Sequence, residues 1–285
     1  LIIIMNALVF EGGGIKGLCY IGALEKLEEL HKVSLESVKY VGGTSAGSIV
    51  AALIASNHSV TDMKDILYKM DWNKLKDGNG FFNFFRLFKK LGYHKGESLE
   101  TFMEKLLFDK VHRRHLTFQQ LYLITGKHLR VVGTNLTQGK SFYMDHIHTP
   151  NMTVAKGVHI SCCLPLFFQP VIHEGDYCID GGVLNNLDLQ MFVSMPDARV
   201  LAFDLQENRK ETKEHHCSKN LAEFVMKIVK SIHKELNKVP KDNQVTVLPI
   251  NETQIEFTNF DINDLQKRYM ISVGREAVEK NKQLI

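Results

Sequence analysis

The feature that most constrains the fold is an alternation of strand and helix patterns over the first 56 residues. Residues 7–10 are an apolar run of strand formers. In 15–30 the apolar residues recur every three or four positions, the spacing of one face of a helix. A second short strand pattern at 38–41 leads into a small-residue apolar helix pattern at 46–56. Because a helix between two strands normally connects parallel neighbours, this order predicts a parallel sheet covered by helices.

The rest of the chain continues with strand and helix patterns and contains no internal repeat or low-complexity linker. We therefore predict an α/β fold, a three-layer α/β/α sandwich with a mostly parallel central sheet. One domain is expected over residues 5–285, with the motifs described below in about 7–189 and with 190–285 completing or flanking the sheet. The later predicted strands are 129–134, 141–144, 177–179, 200–204 and 245–250, and the later predicted helices are 62–70, 98–108, 117–124, 154–160, 221–236 and 262–284. Ser98 is the expected N-cap of its helix, and Thr117 with Gln120 is expected to form a capping box.

Composition and charge exclude several classes of protein. Hydrophobic residues make up 44% and charged residues 24% of the 285 residues, as in ordinary soluble globular proteins. The net charge of +3, with no dense basic block, gives no reason to expect a nucleic-acid partner. The five cysteines form neither a disulfide pattern nor a C-x-x-C pair with histidine, which predicts reduced thiols and no metal site. No segment suits a membrane span, so we expect a cytoplasmic protein that is either soluble or peripheral at membranes.

The segment Gly43-Thr44-Ser45-Ala46-Gly47 matches G-x-S-x-G and lies between a predicted strand and a predicted helix. In that context the motif indicates a nucleophile at a sharp strand-to-helix turn, which exposes the serine hydroxyl beside the amides of the helix start. Gly43 and Gly47 are the positions where a side chain would crowd such a turn. We predict that Ser45 is the nucleophile; the alternative is a glycine-rich turn in which Ser45 only caps the helix.

A glycine loop at residues 12–17 (GGGIKG) matches G-x-G-x-x-G after a strand and before a helix. A dinucleotide site would need a carboxylate at the end of the second strand, where the sequence has Gly42 and Gly43. A phosphate-binding P-loop would need lysine and a hydroxyl residue after the last glycine, where Leu18 stands. Backbone amides at a helix start can instead hold the oxyanion of a tetrahedral intermediate. The candidate donors are Gly13 and Gly14, followed by Gly12 and Ile15, and Lys16 is expected to be a surface charge.

A serine nucleophile needs a base, and Asp180-Gly181-Gly182 follows a short predicted strand. Open α/β sheets bind ligands at the carboxyl ends of their strands, so an aspartate there is well placed to accept a proton. The alternative role for Asp180 is to cap a turn. Three histidines follow Asp180 and could complete a conventional triad, but they lie in a polar loop or on the charged side of a helix pattern and are expected to be solvated: His215, His216 and His233.

Together these three motifs resemble the patatin-like phospholipases. The resemblance extends to residues 127–139, to the S-x-x-x-P-x-x-F-x-P pattern at 161–170 and to the D-G-G-V-L-N-N segment at 180–186, so it covers about 7–189. One departure is Asp188, where relatives often have proline. The resemblance implies a Ser-Asp dyad without histidine, an acyl-enzyme, and no metal or cofactor. In this chain Ser45 would attack the ester carbonyl, while Asp180 would accept its proton and later activate water.

The resemblance implies that the substrate is a phospholipid or a lysophospholipid whose fatty-acyl ester is hydrolysed. An acyltransferase using the same acyl-enzyme is the rival enzyme, although it would have histidine beside the serine, where this chain has Thr44 and Ala46. A non-catalytic lipid-binding module is the alternative outside enzymes, and the intact motifs argue against it.

A cluster of phenylalanines beside basic residues in 80–90 leads to the hypothesis of a peripheral membrane contact. A basic amphipathic segment can insert into an anionic bilayer surface. The alternatives are a helix packed over the sheet and a wall of the acyl-chain pocket. The four side chains on one predicted helical face are Phe81, Phe84, Phe85 and Phe88.

Overall fold

The computed structural model describes residues 5–75, 89–206, 224, 225, 227–229, 231, 244–252, 254–256, 259 and 261–285. Its centre is an eight-stranded sheet in the order β10-β9-β1-β2-β4-β8-β7, with β5 also paired to β4. The pairings from β10 through to β4 are parallel, and β5, β7 and β8 add antiparallel pairings at one side. The strands are β1 (Ala7–Phe10), β2 (Tyr40–Thr44), β3 (Gly92–His94), β4 (His128–Asn135), β5 (Lys140–Asp145), β6 (Leu166–Phe168), β7 (Val171–His173), β8 (Asp176–Asp180), β9 (Val200–Gln206) and β10 (Val245–Asn251), with β3 and β6 paired in a small separate sheet.

Strand β1 shows why the middle of the sheet forms a parallel core. It pairs with β2 on one side and β9 on the other, and all four of its residues are buried. Leu8 and Phe10 face one apolar cluster, whereas Ala7 and Val9 face the other. A continuous apolar strand is favoured where both faces of a sheet are covered, because burying each large apolar side chain stabilises the folded state by about 1.5–3 kcal/mol.

Helices pack on the sheet at the positions that the apolar periodicity predicts. On the face of Leu8 and Phe10 the core includes residues of all seven described helices. On the opposite face, the described cover is the segment 187–195, which contributes Met191 and Phe192. The helices are α1 (Leu18–Glu29), α2 (Ala46–Ala55), α3 (Val60–Lys69), α4 (Glu97–Val111), α5 (Phe118–Thr125), α6 (Val154–Ser161) and α7 (Asp264–Lys280), and 3-10 turns occupy Gly14–Gly17, Trp72–Leu75 and Gly181–Val183.

Most predicted elements that fall on described residues agree with the structure, but the second strand lies at Tyr40–Thr44 and not at 38–41, and β3, β6 and β7 were not predicted. Strand β1 has the predicted bounds, and Thr117 and Gln120 form the predicted capping box at the start of α5. The start of α4 differs, because Gly96 adopts a left-handed φ of +83° and lets the helix begin at Glu97, before the expected cap Ser98. The predicted helix 221–236 and the phenylalanine cluster fall largely or wholly outside the described residues. No helix in the described ranges combines the length and apolar character needed to cross a bilayer.

The topology brings two distant strand ends together on β4. Because β5 pairs with β4 from Arg130 to Asn135, the strands β2 and β8 must share the opposite edge of β4. They approach along that edge from opposite directions, with Thr44 beside Val132 and Asp180 beside Gly133. The ends of β2 and β8, which are more than a hundred positions apart in the sequence, therefore meet beside consecutive residues of β4.

Candidate active site

Ser45 occupies the turn between β2 and α2 in a backbone conformation that is unusual for a residue other than glycine. Its φ is +50° and its ψ is −126°, and the helix begins at the next residue. A hydrogen-bond relay supports this geometry, since the Ser45 N–H donates to Ser161 Oγ at 2.9 Å. The Ser161 hydroxyl in turn donates to the Val132 carbonyl at 2.6 Å. Such strain is concentrated at functional sites, where the surrounding structure holds it in place.

The two glycines of the G-x-S-x-G motif are required by close contacts around this turn. A Cβ on Gly43 would lie 2.5 Å from the Gly47 carbonyl carbon. A Cβ on Gly47 would lie 2.4 Å from the carbonyl oxygen of Phe10 and 2.6 Å from that of Glu11. The start of α2 thus crosses directly over the end of β1, which brings the turn next to the glycine loop.

We expect Gly47→Ala to lower the free energy of unfolding by about 1–3 kcal/mol, because the new methyl group would clash with backbone that cannot move aside. Gly17→Ala is the matched control, since a Cβ there would lie in ordinary contact, 3.5 Å from Ala46 Cβ. Urea unfolding of both variants measures the difference. Equal stability of Gly47→Ala and the wild type would contradict the close packing of this turn.

Asp180 lies at the end of β8 with its side chain 2% exposed. Its Oδ1 accepts a hydrogen bond from the Gly182 N–H at 2.7 Å, and its own N–H donates to the Cys163 carbonyl. Its Oδ2 is buried and has no partner in hydrogen-bond geometry among the described residues. Burial raises the pKa of Asp180 to about 7, an effect opposed by the neighbouring Ser45 side chain and by the hydrogen bond from the Gly182 N–H. A carboxylate with this proton affinity suits general-base work near neutral pH.

The glycines after Asp180 leave room for neighbouring strands to pack closely against them. A Cβ on Gly181 would lie 2.4 Å from the Val132 carbonyl oxygen and 3.0 Å from Thr44 Cγ2. This contact places the residue after Asp180 against the residue before Ser45. Gly182 supplies the N–H that holds the carboxylate. The structure thus places the predicted nucleophile and the predicted base side by side.

The glycine loop lies beside them at the end of β1. A Cβ on Gly12 would lie 3.1 Å from Ser45 Cβ. The Gly12 N–H donates to the Asn186 carbonyl at 3.2 Å, so its predicted role as an oxyanion donor is not available in this conformation. The N–H groups of Gly13 and Gly14 have no acceptor among the described residues. Ile15 is the second residue of the 3-10 turn, and its side chain is fully buried in the core.

Lys16 does not lie on the surface, as the sequence had suggested. It is 4% exposed, and its Nζ lies 3.2 Å from the carboxylate of Glu252, which is itself fully buried. The same ammonium donates to the Glu252 carbonyl oxygen. This ion pair ties the glycine loop to the chain after β10, and no local pattern could reveal a partner 236 positions away.

Sequence reasoning missed several residues that complete the surroundings of Ser45. The Cys162 thiol lies 3.9 Å from Ser48 Oγ, and burial, followed by the nearby Asp180, raises its pKa. Ser161, which holds the Ser45 N–H, could be found only as part of the S-x-x-x-P pattern, whose spacing says nothing about a contact. The three candidate histidines lie outside the described residues. No group of three or more described His, Cys, Asp or Glu side chains is arranged to hold a metal ion.

A polar cluster that no motif indicated lies at the end of β1. Glu11 accepts hydrogen bonds at both carboxylate oxygens, from the Asn186 side chain at 2.7 Å and from the Leu205 N–H at 2.6 Å. Desolvation and the neighbouring Asp204 raise the pKa of Glu11 to about 8. Asn186 lies within the D-G-G-V-L-N-N segment, so the cluster joins the two loops that flank Ser45.

A comparison with known protein families decides the class of this site. The family model described as patatin-like phospholipase matches residues 8–193, which is more than half of the chain. The chain belongs to the patatin-like phospholipase family. The matched range contains the glycine loop, the G-x-S-x-G turn and the D-G-G segment, which are the three motifs that the topology brings together.

Individual relatives agree with this family. A probable lipid hydrolase of invertebrate iridescent virus 6 is 25% identical over 282 residues, covering 95% of this chain and 87% of its own length. An uncharacterised protein of Acanthamoeba polyphaga mimivirus is 27% identical over 282 residues, covering 96% and 92% respectively. Among solved structures, VipD from Legionella pneumophila is similar in fold, with a TM-score of 0.63 at 17% sequence identity, over 97% of this chain and 66% of VipD.

These findings confirm the predicted family, the predicted α/β/α fold with a mostly parallel sheet, and the predicted enzyme class of esterase or phospholipase. This patatin-like chain is therefore a lipid hydrolase. The extent of the single domain, the reduced and cytoplasmic state and the membrane contact through the phenylalanine cluster stay predictions.

Proposed function

We propose that this patatin-like protein hydrolyses fatty-acyl esters of phospholipids or lysophospholipids through an acyl-enzyme on Ser45, with Asp180 as the general base. The observation that carries the proposal is the meeting of β2 and β8 on one edge of β4. It puts the hydroxyl of half-buried Ser45, in a strained turn, next to a desolvated carboxylate, and both lie beside amides of a glycine loop.

In the acylation step, Ser45 Oγ forms a bond to the ester carbonyl carbon while its proton passes to Asp180. Because burial raises the proton affinity of Asp180, this transfer to a carboxylate costs less than it would in water. The proton then passes from Asp180 to the leaving alcohol as the ester C–O bond breaks. The fatty acyl group remains bound to Ser45 as an ester.

In the deacylation step, Asp180 takes a proton from water as the water oxygen attacks the acyl carbon. The bond from that carbon to Ser45 Oγ breaks, and the proton returns to Ser45 as the fatty acid leaves. Both steps pass through an oxyanion. The N–H groups of Gly13 and Gly14, which have no acceptor among the described residues, would stabilise it, and one such donor is worth about 3 kcal/mol of transition-state stabilisation.

The direct test of an activated serine is reaction with a fluorophosphonate probe. We expect stoichiometric labelling of the native protein and an adduct on the peptide that contains Ser45, because a serine hydroxyl reacts with such probes only when a base activates it. Heat-denatured protein serves as the control and should not be labelled. An adduct that mapped to another residue, or no adduct on folded protein, would refute the proposed nucleophile.

The substrate class is tested separately with vesicles of a diacyl phospholipid and with micelles of the matching lysophospholipid. Release of fatty acid from either one, lost in a protein already labelled by the probe, supports the proposed hydrolase. Transfer of the acyl group to an added alcohol in preference to water would favour the acyltransferase instead.

A further inference from the structure

Glu11 joins the end of β1 to two other parts of the chain. Its Oε1 accepts from Asn186 Nδ2 at 2.7 Å, and its Oε2 accepts from the Leu205 N–H on β9 at 2.6 Å. Its main chain is held as well, since its N–H donates to the Phe203 carbonyl and its carbonyl accepts from the Tyr20 hydroxyl at 2.6 Å. These four hydrogen bonds hold Glu11 in place, and Glu11 therefore anchors the start of the glycine loop.

Asn186 binds the loop on its other side with three hydrogen bonds. Its side-chain amide donates to Glu11 and, at 3.0 Å, to the Gly12 carbonyl, while its own carbonyl accepts from the Gly12 N–H at 3.2 Å. The Asn186 side chain also packs against Gly182, where a Cβ would lie 2.7 Å from Asn186 Oδ1. Gly182 is the residue whose N–H holds Asp180. One side chain thus connects the glycine loop to the segment that carries the base.

We propose that Glu11 and Asn186 form a latch that positions the Gly13 and Gly14 amides relative to Ser45 and Asp180. Oxyanion donors act because they are already oriented before the charge develops, and a displacement of about 1 Å in such a site can cost about 100-fold in rate. Hydrogen bonds join Asn186 to the glycine loop, and packing joins Asn186 to Gly182, so the latch supports the donors and the base from one side chain. This inference rests on the proposed function of Ser45 and Asp180.

The latch makes a specific prediction for Glu11→Gln and Asn186→Asp. Glutamine has a single acceptor oxygen and can satisfy only one of the two donors, while aspartate removes the donor that reaches Glu11 and Gly12. We expect each variant to lower kcat by roughly 10-fold to 100-fold with KM within about twofold, because the donors act on the transition state and not on ground-state binding. Steady-state hydrolysis at about pH 9, above the pKa of Glu11, measures both constants.

The double variant Glu11→Gln with Asn186→Asp separates positioning from general damage. In it the new carboxamide at position 11 can donate to the new carboxylate at position 186 and still accept from the Leu205 N–H. We expect its kcat to exceed the product of the two single losses by about tenfold, because the reversed pair restores one hydrogen bond of the latch. Asn6→Ala is the matched control, since Asn6 ties the opposite end of β1 to Asp197 and Arg199 and should leave kcat unchanged.

The outcomes distinguish the latch from the dyad. Suppose that the wild type is active. If the folded single variants keep wild-type kcat, or if the two single losses simply multiply in the double variant, the latch is overturned and the dyad stands. Wild-type protein without Ser45-dependent hydrolysis would overturn the proposed function and the latch with it. If Asn186→Asp fails to fold, Glu11→Gln and Asn186→Ser carry the test, and wild-type kcat in both overturns the latch.

Discussion

Ser45→Ala is expected to lower kcat/KM for ester hydrolysis by roughly 10⁴-fold or more, since removing a nucleophile ends covalent catalysis and leaves only binding and oxyanion stabilisation. The variant should fold normally. The hydrogen bonds that hold the turn use the Ser45 backbone, with its N–H on Ser161 and its carbonyl accepting from Ser48, and alanine keeps both. Release of fatty acid from vesicles and thermal unfolding measure activity and folding in the same preparation.

Ser56→Ala is the matched control for that variant. Ser56 follows the other end of α2, where its hydroxyl donates to the Ala52 and Leu53 carbonyls, away from the site. Its loss should leave kcat/KM unchanged within about twofold, as expected for a residue outside the reaction. A folded Ser45→Ala protein that retained wild-type hydrolysis would rule out Ser45 as the nucleophile.

Asp180→Asn is expected to lower kcat by roughly 10³-fold to 10⁴-fold, because an amide cannot accept the hydroxyl proton. Wild-type kcat/KM should rise with pH through about 7, since Asp180 must be ionised to act as a base and its pKa lies at about 7, and it should level off only above about 8, where the Glu11 carboxylate of the latch is also ionised. The residual activity of the variant should lack the rise near pH 7. Initial rates across the pH range measure both profiles, and a wild-type plateau extending well below this range would contradict Asp180 as the base.

The same substitution should raise stability over a defined pH window. Burial raises the pKa of Asp180 in the folded protein from its ordinary value of 3.8 to about 7. Between these two values the unfolded chain ionises Asp180 while the folded protein retains the proton, so this group makes folding less favourable as pH rises. We therefore expect the unfolding temperature of Asp180→Asn, relative to the wild type, to increase from about pH 4 to about pH 7 and then to level off. A pH-independent difference would mean that Asp180 is not perturbed in the folded state.

Local sequence patterns predicted most of the elements around the site. The strand run at 7–10, the helix at 46–55 and the capping box of Thr117 with Gln120 depend on neighbours within a few residues, and all three are present. The strained turn at Ser45 could be predicted for the same reason, since its glycines are part of the motif. The start of α4 was misplaced, because serine is a preferred cap, whereas the chain uses Gly96 in a left-handed conformation that glycine adopts without strain.

The site itself depends on contacts between distant parts of the chain. Lys16 was expected at the surface because a lysine next to a helix start is normally solvated, and only the buried Glu252 accounts for its position. Gly12 was expected to bind the oxyanion because its residue type allows it, whereas its N–H donates to Asn186. The partners of both residues are set by strand order, which residue type and local spacing do not specify.

The sequence by itself determined which groups could react: a serine in a turn that only glycines permit, an aspartate at a strand end and a loop of unhindered amides. Tertiary structure alone decided that they meet, because the shared edge of β4 has room for β2 and β8 end to end and for nothing between them. It also decided the proton affinity of Asp180, since desolvation depends on what surrounds a carboxylate and not on its place in the chain.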